Sequence, residues 1–400
     1  MKSSSSLVGR LAGLVGSDAK LKRMLEASIE AAAAINPDRD TNPAQTLEEF
    51  YDYIDWSSTT LPRFILRLPE SASLYDRIDQ ALDYFYFLID QPLAELADAG
   101  YYYPSVQYYE PFCSWVTEYV KAWGSFLSSD RSWNEEYAAA FYADPGFGVA
   151  AGWYEDASNW KSYNDFFARR LRDASQRPVA SPEDPSVLAS PVDGVPQGIW
   201  KIDDSGYIVH EDGSRDKGVL LKSRYFDYVP NLIGPGSAYA DSFAGGVLTH
   251  LFLDVNDYHR YHFPLSGTVL EMRHIPAASA GGGIYRWDAS ARRYVLECRE
   301  PGWETAETRS CLILDTDDFG IAALMPIGMS QVCSVNFSEG LKAGDRVEKG
   351  QELGFFLFGG SDFVMLFQKH VALDITHPVR VDGSYAHILA CARLGILSRR

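Results

Sequence analysis

Apolar residues in this chain recur at helical spacing up to about residue 160 and in short alternating runs after Pro178. A single change of period of this kind predicts helices followed by sheet. Between Leu47 and Trp160 the apolar and aromatic side chains fall three and four apart, as in Tyr75 to Leu96 and Tyr108 to Leu127. The Ala-rich stretch Ala19 to Ile35 predicts a further surface helix. Tyr101, Tyr102, Tyr103, Tyr108 and Tyr109 are expected to fill a core or an interface, because aromatic clusters pack. The expected architecture is α+β, with a helical N-terminal domain over residues 1–160 and a β-rich domain over residues 161–400.

Ser162 to Arg172 predicts a capped helix, with Ser162 as N-cap, Asp165 three residues on, and Phe166, Phe167 and Leu171 on the apolar face. A Pro- and Ser-rich linker follows. Beyond it, Tyr207 to His210, Val247 to Leu253, Thr268 to Met272 and Cys311 to Leu314 predict strands. Near the end, Gly344 to Gly354 followed by Phe355 to Phe358 and Phe363 to Phe367 resembles the bent hairpin of lipoyl- and biotinyl-type domains. Those domains show a modifiable lysine at the turn. Here Gly359-Gly360-Ser361-Asp362 would present a hydroxyl after two flexible residues.

Composition narrows the function. A formal charge of -18 opposes binding to nucleic acid and to anionic bilayers. Small neutral or cationic molecules remain as partners. Cys113, Cys298, Cys311, Cys333 and Cys391 are scattered, with no CxxC pair, so neither a disulfide framework nor a zinc site is indicated. No apolar run reaches the roughly 18 residues of a membrane span, and Arg10 interrupts the Leu7 to Gly16 stretch. The expected location is the cytoplasm.

Chemistry concentrates in few places. Two of the eight histidines, His259 and His262, share the segment 257–264. Their spacing is a weak metal signal and no metal is expected. With Ser361 and an aspartate, one of them could complete a nucleophilic triad. Asp193, in the turn Ser190-Pro-Val-Asp-Gly194, is the candidate third member.

Four segments, in order, resemble the phosphatidylserine decarboxylase family: Ser162-Tyr-Asn-Asp-Phe-Phe-Ala-Arg-Arg-Leu171, Ser190-Pro-Val-Asp-Gly194, Asp257-Tyr-His-Arg-Tyr-His-Phe-Pro-Leu-Ser-Gly267 and Phe358-Gly-Gly-Ser361. The resemblance spans roughly residues 160 to 380. Asp362 stands where the family usually carries Thr. Upstream, Trp123-Gly-Ser-Phe-Leu-Ser-Ser129 is similar to the branch containing the fungal tryptophan decarboxylase of psilocybin biosynthesis, although that branch departs from the pattern at the position of Asp193.

The resemblance implies a proenzyme that cuts itself between Gly360 and Ser361. His262 is then the general base, Asp193 orients it, and Ser361 attacks the Gly360 carbonyl. The ester undergoes β-elimination and hydrolysis, leaving a pyruvoyl cofactor at the start of an α chain that stays bound to the β chain. No pyridoxal cofactor is needed. The ketone would form a Schiff base with a substrate amine and draw electrons as CO2 leaves. His259 is expected to protonate the former α-carbon.

The expected substrate is a free amino acid, aromatic such as tryptophan. The alternatives are phosphatidylserine, giving phosphatidylethanolamine, a fixed hydrolase triad, and a non-catalytic β-sandwich interaction module. The Gly-x-Ser-x-Gly elbow of α/β hydrolases is missing, since position 363 is Phe.

Overall fold

A computed structural model describes residues 6–400 apart from 211, 215–219, 222–223, 226, 277–282 and 330–333. Cys333 lies outside the described residues, and the other four cysteines are free thiols. Among the described residues, seven α-helices precede the sheets, the first six being α1 Leu7–Ser17, α2 Ala19–Ile35, α3 Leu47–Ser57, α4 Leu74–Ile89, α5 Phe112–Leu127 and α6 Glu135–Ala143. Each starts where the sequence supplies a cap or a break. Ser73 and Asp76 form a reciprocal capping box ahead of α4, and Asp18 accepts from Lys20 and Leu21 at the start of α2. None of the described helices is long and apolar enough to cross a membrane.

The predicted Ser162 to Arg172 helix is shorter. Its α7 runs Tyr163–Phe167, with Ser162 accepting from the Asp165 N–H as expected of the cap. It stops because residues 170–172 extend along residues 153–155, through Glu155 N to Arg170 O and Arg172 N to Trp153 O.

An eight-stranded antiparallel sheet forms the centre, in the order Arg346–Val347, Gly267–Ile275, Thr308–Thr316, Gly320–Met329, Gly360–Phe367, Val247–Leu253, Val195–Ile202 and Ile208–Val209. Beside it, Val335–Phe337, Glu352–Phe356 and Arg260–His262 make a three-stranded sheet. This layout corrects the expected hairpin. Glu352–Phe356 and Gly360–Phe367 do not pair with each other but belong to different sheets, so Leu357–Gly359 is a crossing between sheets.

Ser361 is therefore the second residue of a central strand, opposite Gly328 on one side and Leu253 on the other, and fully buried. The strand reads as a continuous apolar run because both faces are covered. Phe363, Met365 and Phe367 join the core that includes Leu25, Phe85 and Trp123 of the helices. Val364 and Leu366 face a second core with Trp200, Leu248 and Met325. Helix and sheet packing is continuous across residue 160. The Trp123 ring of α5 meets Phe358 edge-on at 5.5 Å, and Gln80 of α4 bonds both backbone groups of Tyr294.

Gly354 tests the small sheet. A Cβ there would lie 1.9 Å from the Asn336 carbonyl oxygen. Gly354→Ala is expected to cost about 1–3 kcal/mol through overpacking, read as a lower urea midpoint at unchanged slope.

Candidate active site

Segment 162–169 is the anchor of the site. Asn164 Oδ1 accepts the Phe358 N–H at 2.9 Å, while its amide donates to Ser128 Oγ at 2.8 Å. Phe358 then sits against Trp123, Tyr163 and Phe167. Arg169, fully buried, donates to the carbonyls of Asn256 and Asp257 at 2.7 and 2.8 Å and lies over the Tyr154 ring. Arg260 Nε donates to the Ala168 carbonyl at 2.8 Å. The first, third and fourth motifs of the sequence are one packed unit.

His259 is fully buried, and its ring stacks on Phe167 at 3.7 Å. Its Nδ1 faces the Asp257 carbonyl at 2.9 Å and must donate, because a carbonyl only accepts. The lone pair is thus on Nε2, which has no hydrogen-bond partner. Burial, reinforced by the Arg169 cation, holds its pKa well below the usual imidazole value.

His262 is also buried. Its Nδ1 donates to the Gly350 carbonyl at 2.8 Å, leaving Nε2 to accept from Tyr258 Oη at 3.2 Å. Burial lowers its pKa too, against the opposing Gly350 hydrogen bond.

Asp193 lies near this strand, since the His262 N–H donates to the Pro191 carbonyl. Its carboxylate is engaged elsewhere. Arg177 Nε donates to Oδ1 at 2.8 Å, Arg177 Nη2 to Oδ2, and the Ala390 N–H to Oδ1 at 2.7 Å. No hydrogen bond joins Asp193, His262 and Ser361 in this arrangement. Ser361 Oγ is buried without a partner.

Sequence reasoning missed the neighbours of Asp362. His250 Nδ1 meets Asp362 Oδ2 at 2.8 Å and its Nε2 meets the Arg299 carbonyl at 2.8 Å. A lone histidine in the apolar strand Val247–Leu253 was the signal available. Burial opposes charge on His250, yet the Asp362 carboxylate outweighs it and pushes the pKa up to about 9. Burial also pushes Asp362 up. The proton stays on the imidazole, because one nitrogen faces a carbonyl and the other a carboxylate. Glu304 completes a group of three ligand atoms within 4.8 Å of one another. Both His250 nitrogens are already bonded, so a metal would have to displace one of those partners.

Beside Gly360 opens a cavity of about 290 Å³. Asp79, Asp83 and Asp254 line it with Arg293, Tyr75 and Tyr294.

The phosphatidylserine decarboxylase profile matches residues 163–385. Over 239 residues the chain is 31% identical to the phosphatidylserine decarboxylase proenzyme of Anaeromyxobacter sp. (strain K), covering 56% of this chain and 75% of that protein. It is 29% identical over 211 residues to phosphatidylserine decarboxylase proenzyme 2 of Oryza sativa subsp. japonica, covering 53% of this chain but 30% of the rice protein. With the Bordetella pertussis (strain Tohama I) proenzyme the figures are 28% over 255 residues, 58% of this chain and 77% of the relative. The matches are to carboxy-lyase proenzymes, and the chain belongs to the phosphatidylserine decarboxylase family. Its proenzymes use a pyruvoyl group made from a serine. The residues here fit that group, since Ser361 Oγ is buried with no competing partner and the preceding Gly360 borders the cavity.

Asn164→Ala removes the acceptor for the Phe358 N–H three residues ahead of Ser361. Leaving that buried donor unpaired costs about 1–3 kcal/mol. The expected outcome is slower conversion of precursor to fragments on a denaturing gel, with recovery in Asn164→Asp, which keeps the acceptor oxygen.

Proposed function

We propose that this chain is the proenzyme of a pyruvoyl-dependent decarboxylase that cuts itself between Gly360 and Ser361 and acts on a free L-amino acid. The observation that carries the choice of substrate is the cavity beside Gly360, whose wall holds three carboxylates against one arginine. A phosphodiester entering it would meet acidic groups and an arginine already bonded to Asp79. Tyr75, in the same wall, offers a ring to an aromatic side chain such as that of tryptophan. A second reading, phosphatidylserine as substrate, is favoured by the printed names of the relatives.

The pyruvoyl group supplies an electron-withdrawing ketone for a substrate amine. The chain supplies the rest. Ser361 Oγ attacks the Gly360 carbonyl carbon, with His262 taking the hydroxyl proton and Asp193 behind it. His259 is the proton carrier beside the substrate carbon, supported by its contact with Phe167, which also packs on Phe358. This assignment requires His262 to exchange Tyr258 for Ser361, and Asp193 to share its bond to Arg177. The open Nε2 of His259 favours the exchanged roles as the second reading.

Residues 361–400 should remain bound after cleavage. Gly360–Phe367 is buried throughout between two strands, and Arg393–Arg399 pairs with Val187–Ala189. The expected division is thus residues 1–160 and 161–400, with the cut falling inside the second part.

Intact mass should show two fragments that separate in denaturant alone, and CO2 should be released from free amino acids. A single uncleaved 400-residue chain in active enzyme, or turnover of phosphatidylserine vesicles with no free amino acid consumed, would overturn the corresponding half of the proposal. Ser361→Ala should abolish cleavage and activity together. His262→Ala should block cleavage, whereas His259→Ala should cleave and turn over slowly; the opposite pattern exchanges their roles. Burial lowers both imidazole pKa values, so either base stays neutral at pH 6.5. Cleavage rate should hold down to that pH and fall below it, and a midpoint above 6.5 would exclude both histidines as the base.

A further inference from the structure

Helix α4 turns Tyr75, Asp79, Leu82 and Asp83 toward the cavity beside Gly360, positions that share one helical face. Two of the three carboxylates on its wall are answered. Asp79 accepts from Arg293 Nη2 and from Gln80 Nε2, each at 3.0 Å. Asp254 accepts from Tyr75 Oη at 3.2 Å. Asp83 is 6% exposed and, among the described residues, has no hydrogen-bond donor.

A buried carboxylate without a donor destabilises the fold unless it is neutral or meets a cation. Arg293, the cation on this wall, also lies 4.0 Å from Asp76 and is shared between Asp76 and Asp79. The cavity therefore has a carboxyl group without a donor at one place and the scissile glycine at another. A substrate's α-amine belongs at the Gly360 end. Leu82 and Leu296 line the same cavity and offer an apolar surface suited to methylene groups.

We propose that Asp83 is a specificity residue that binds the side-chain ammonium of a basic amino acid, of the lysine and ornithine class. The proposal rests on the decarboxylase reading and sharpens it, replacing a flat aromatic side chain by a second amine. Burial, and after it the neighbouring Asp79, pushes the resting pKa of Asp83 well up. An incoming ammonium would draw it back to the ionised form.

The test compares CO2 release from lysine, ornithine, norleucine and tryptophan by the full chain, together with calorimetric binding of cadaverine. Norleucine keeps the chain length of lysine without its charge. Lysine or ornithine should exceed norleucine in kcat/KM by about thirtyfold or more, the value of a buried charge pair. Asp83→Asn should erase most of that ratio and of cadaverine binding, while intact mass shows self-cleavage unchanged. Asn is isosteric and no hydrogen bond is lost. Should this variant misfold, Asp254→Asn, which can still accept from Tyr75, should weaken lysine and cadaverine in the same direction. Equal turnover of norleucine or tryptophan, or an unchanged ratio in Asp83→Asn, would overturn the proposal while leaving the decarboxylase intact. If no substrate releases CO2, the decarboxylase reading fails, and cadaverine then decides. Binding lost in Asp83→Asn supports the ammonium site, and no binding to the wild-type chain removes it.

Discussion

The hydrogen bond from Phe358 N–H to Asn164 Oδ1 ties the short α7 helix to the crossing that leads into the central strand. Without it the chain between two sheets would have a buried donor and no fixed path. Around that bond the site assembles by contact. Phe358 fills a socket of Trp123, Tyr163 and Phe167, and the His259 ring stacks on Phe167. Arg169 holds the turn ahead of His259 through two carbonyls. The serine and both histidines are therefore placed by one rigid cluster of aromatic rings and backbone acceptors, not by loops.

Burial of this cluster sets its electrostatics. Neutral imidazoles are favoured where the surroundings are rings and carbonyls, as at His259 and His262, whose pKa values fall. Where a carboxylate is present, the balance reverses. His250 keeps its proton because Asp362 lies 2.8 Å away in the same dry environment. Asp193 makes a two-point contact with Arg177, itself stacked over Trp153 and Tyr258.

Much of this was legible in the sequence. The bounds of α2 and of the Val247–Leu253 strand coincide with their apolar patterns, because propensity and burial agree there. Ser162 was legible as a cap, but the end of α7 was not, since it depends on pairing with residues 153–155. The expected hairpin failed for a related reason. Phe355 to Phe358 and Phe363 to Phe367 look like adjacent strands, and nothing local says that they enter different sheets. Of the site, Ser361, His259, His262 and Asp193 were visible as motif residues. The roles of Arg177, Asn164 and Glu304 were not, although Asn164 lies in the first motif, because Arg177 meets Asp193 16 residues on, Asn164 meets Phe358 194 residues on, and Glu304 meets His250 and Asp362 only through the fold.

The division of labour follows from where each wall of the cavity comes from. The family profile covers residues 163–385, which include Gly360, Asp254, Arg293 and Tyr294. Tyr75, Asp79 and Asp83 stand on α4, outside those residues. The β-rich part thus carries Gly360, the histidines and the serine, while α4 of the helical part lines the cavity as well. Gln80, between Asp79 and Asp83, bonds the Tyr294 backbone and fixes α4 to the wall it faces. Substituting the carboxyls of α4 that line the cavity would change the groups that meet a side chain while leaving the Asn164–Phe358 hydrogen bond in place. On the proposed reading, the family-matched residues supply the chemistry at Ser361 and α4 selects the side chain accepted beside it.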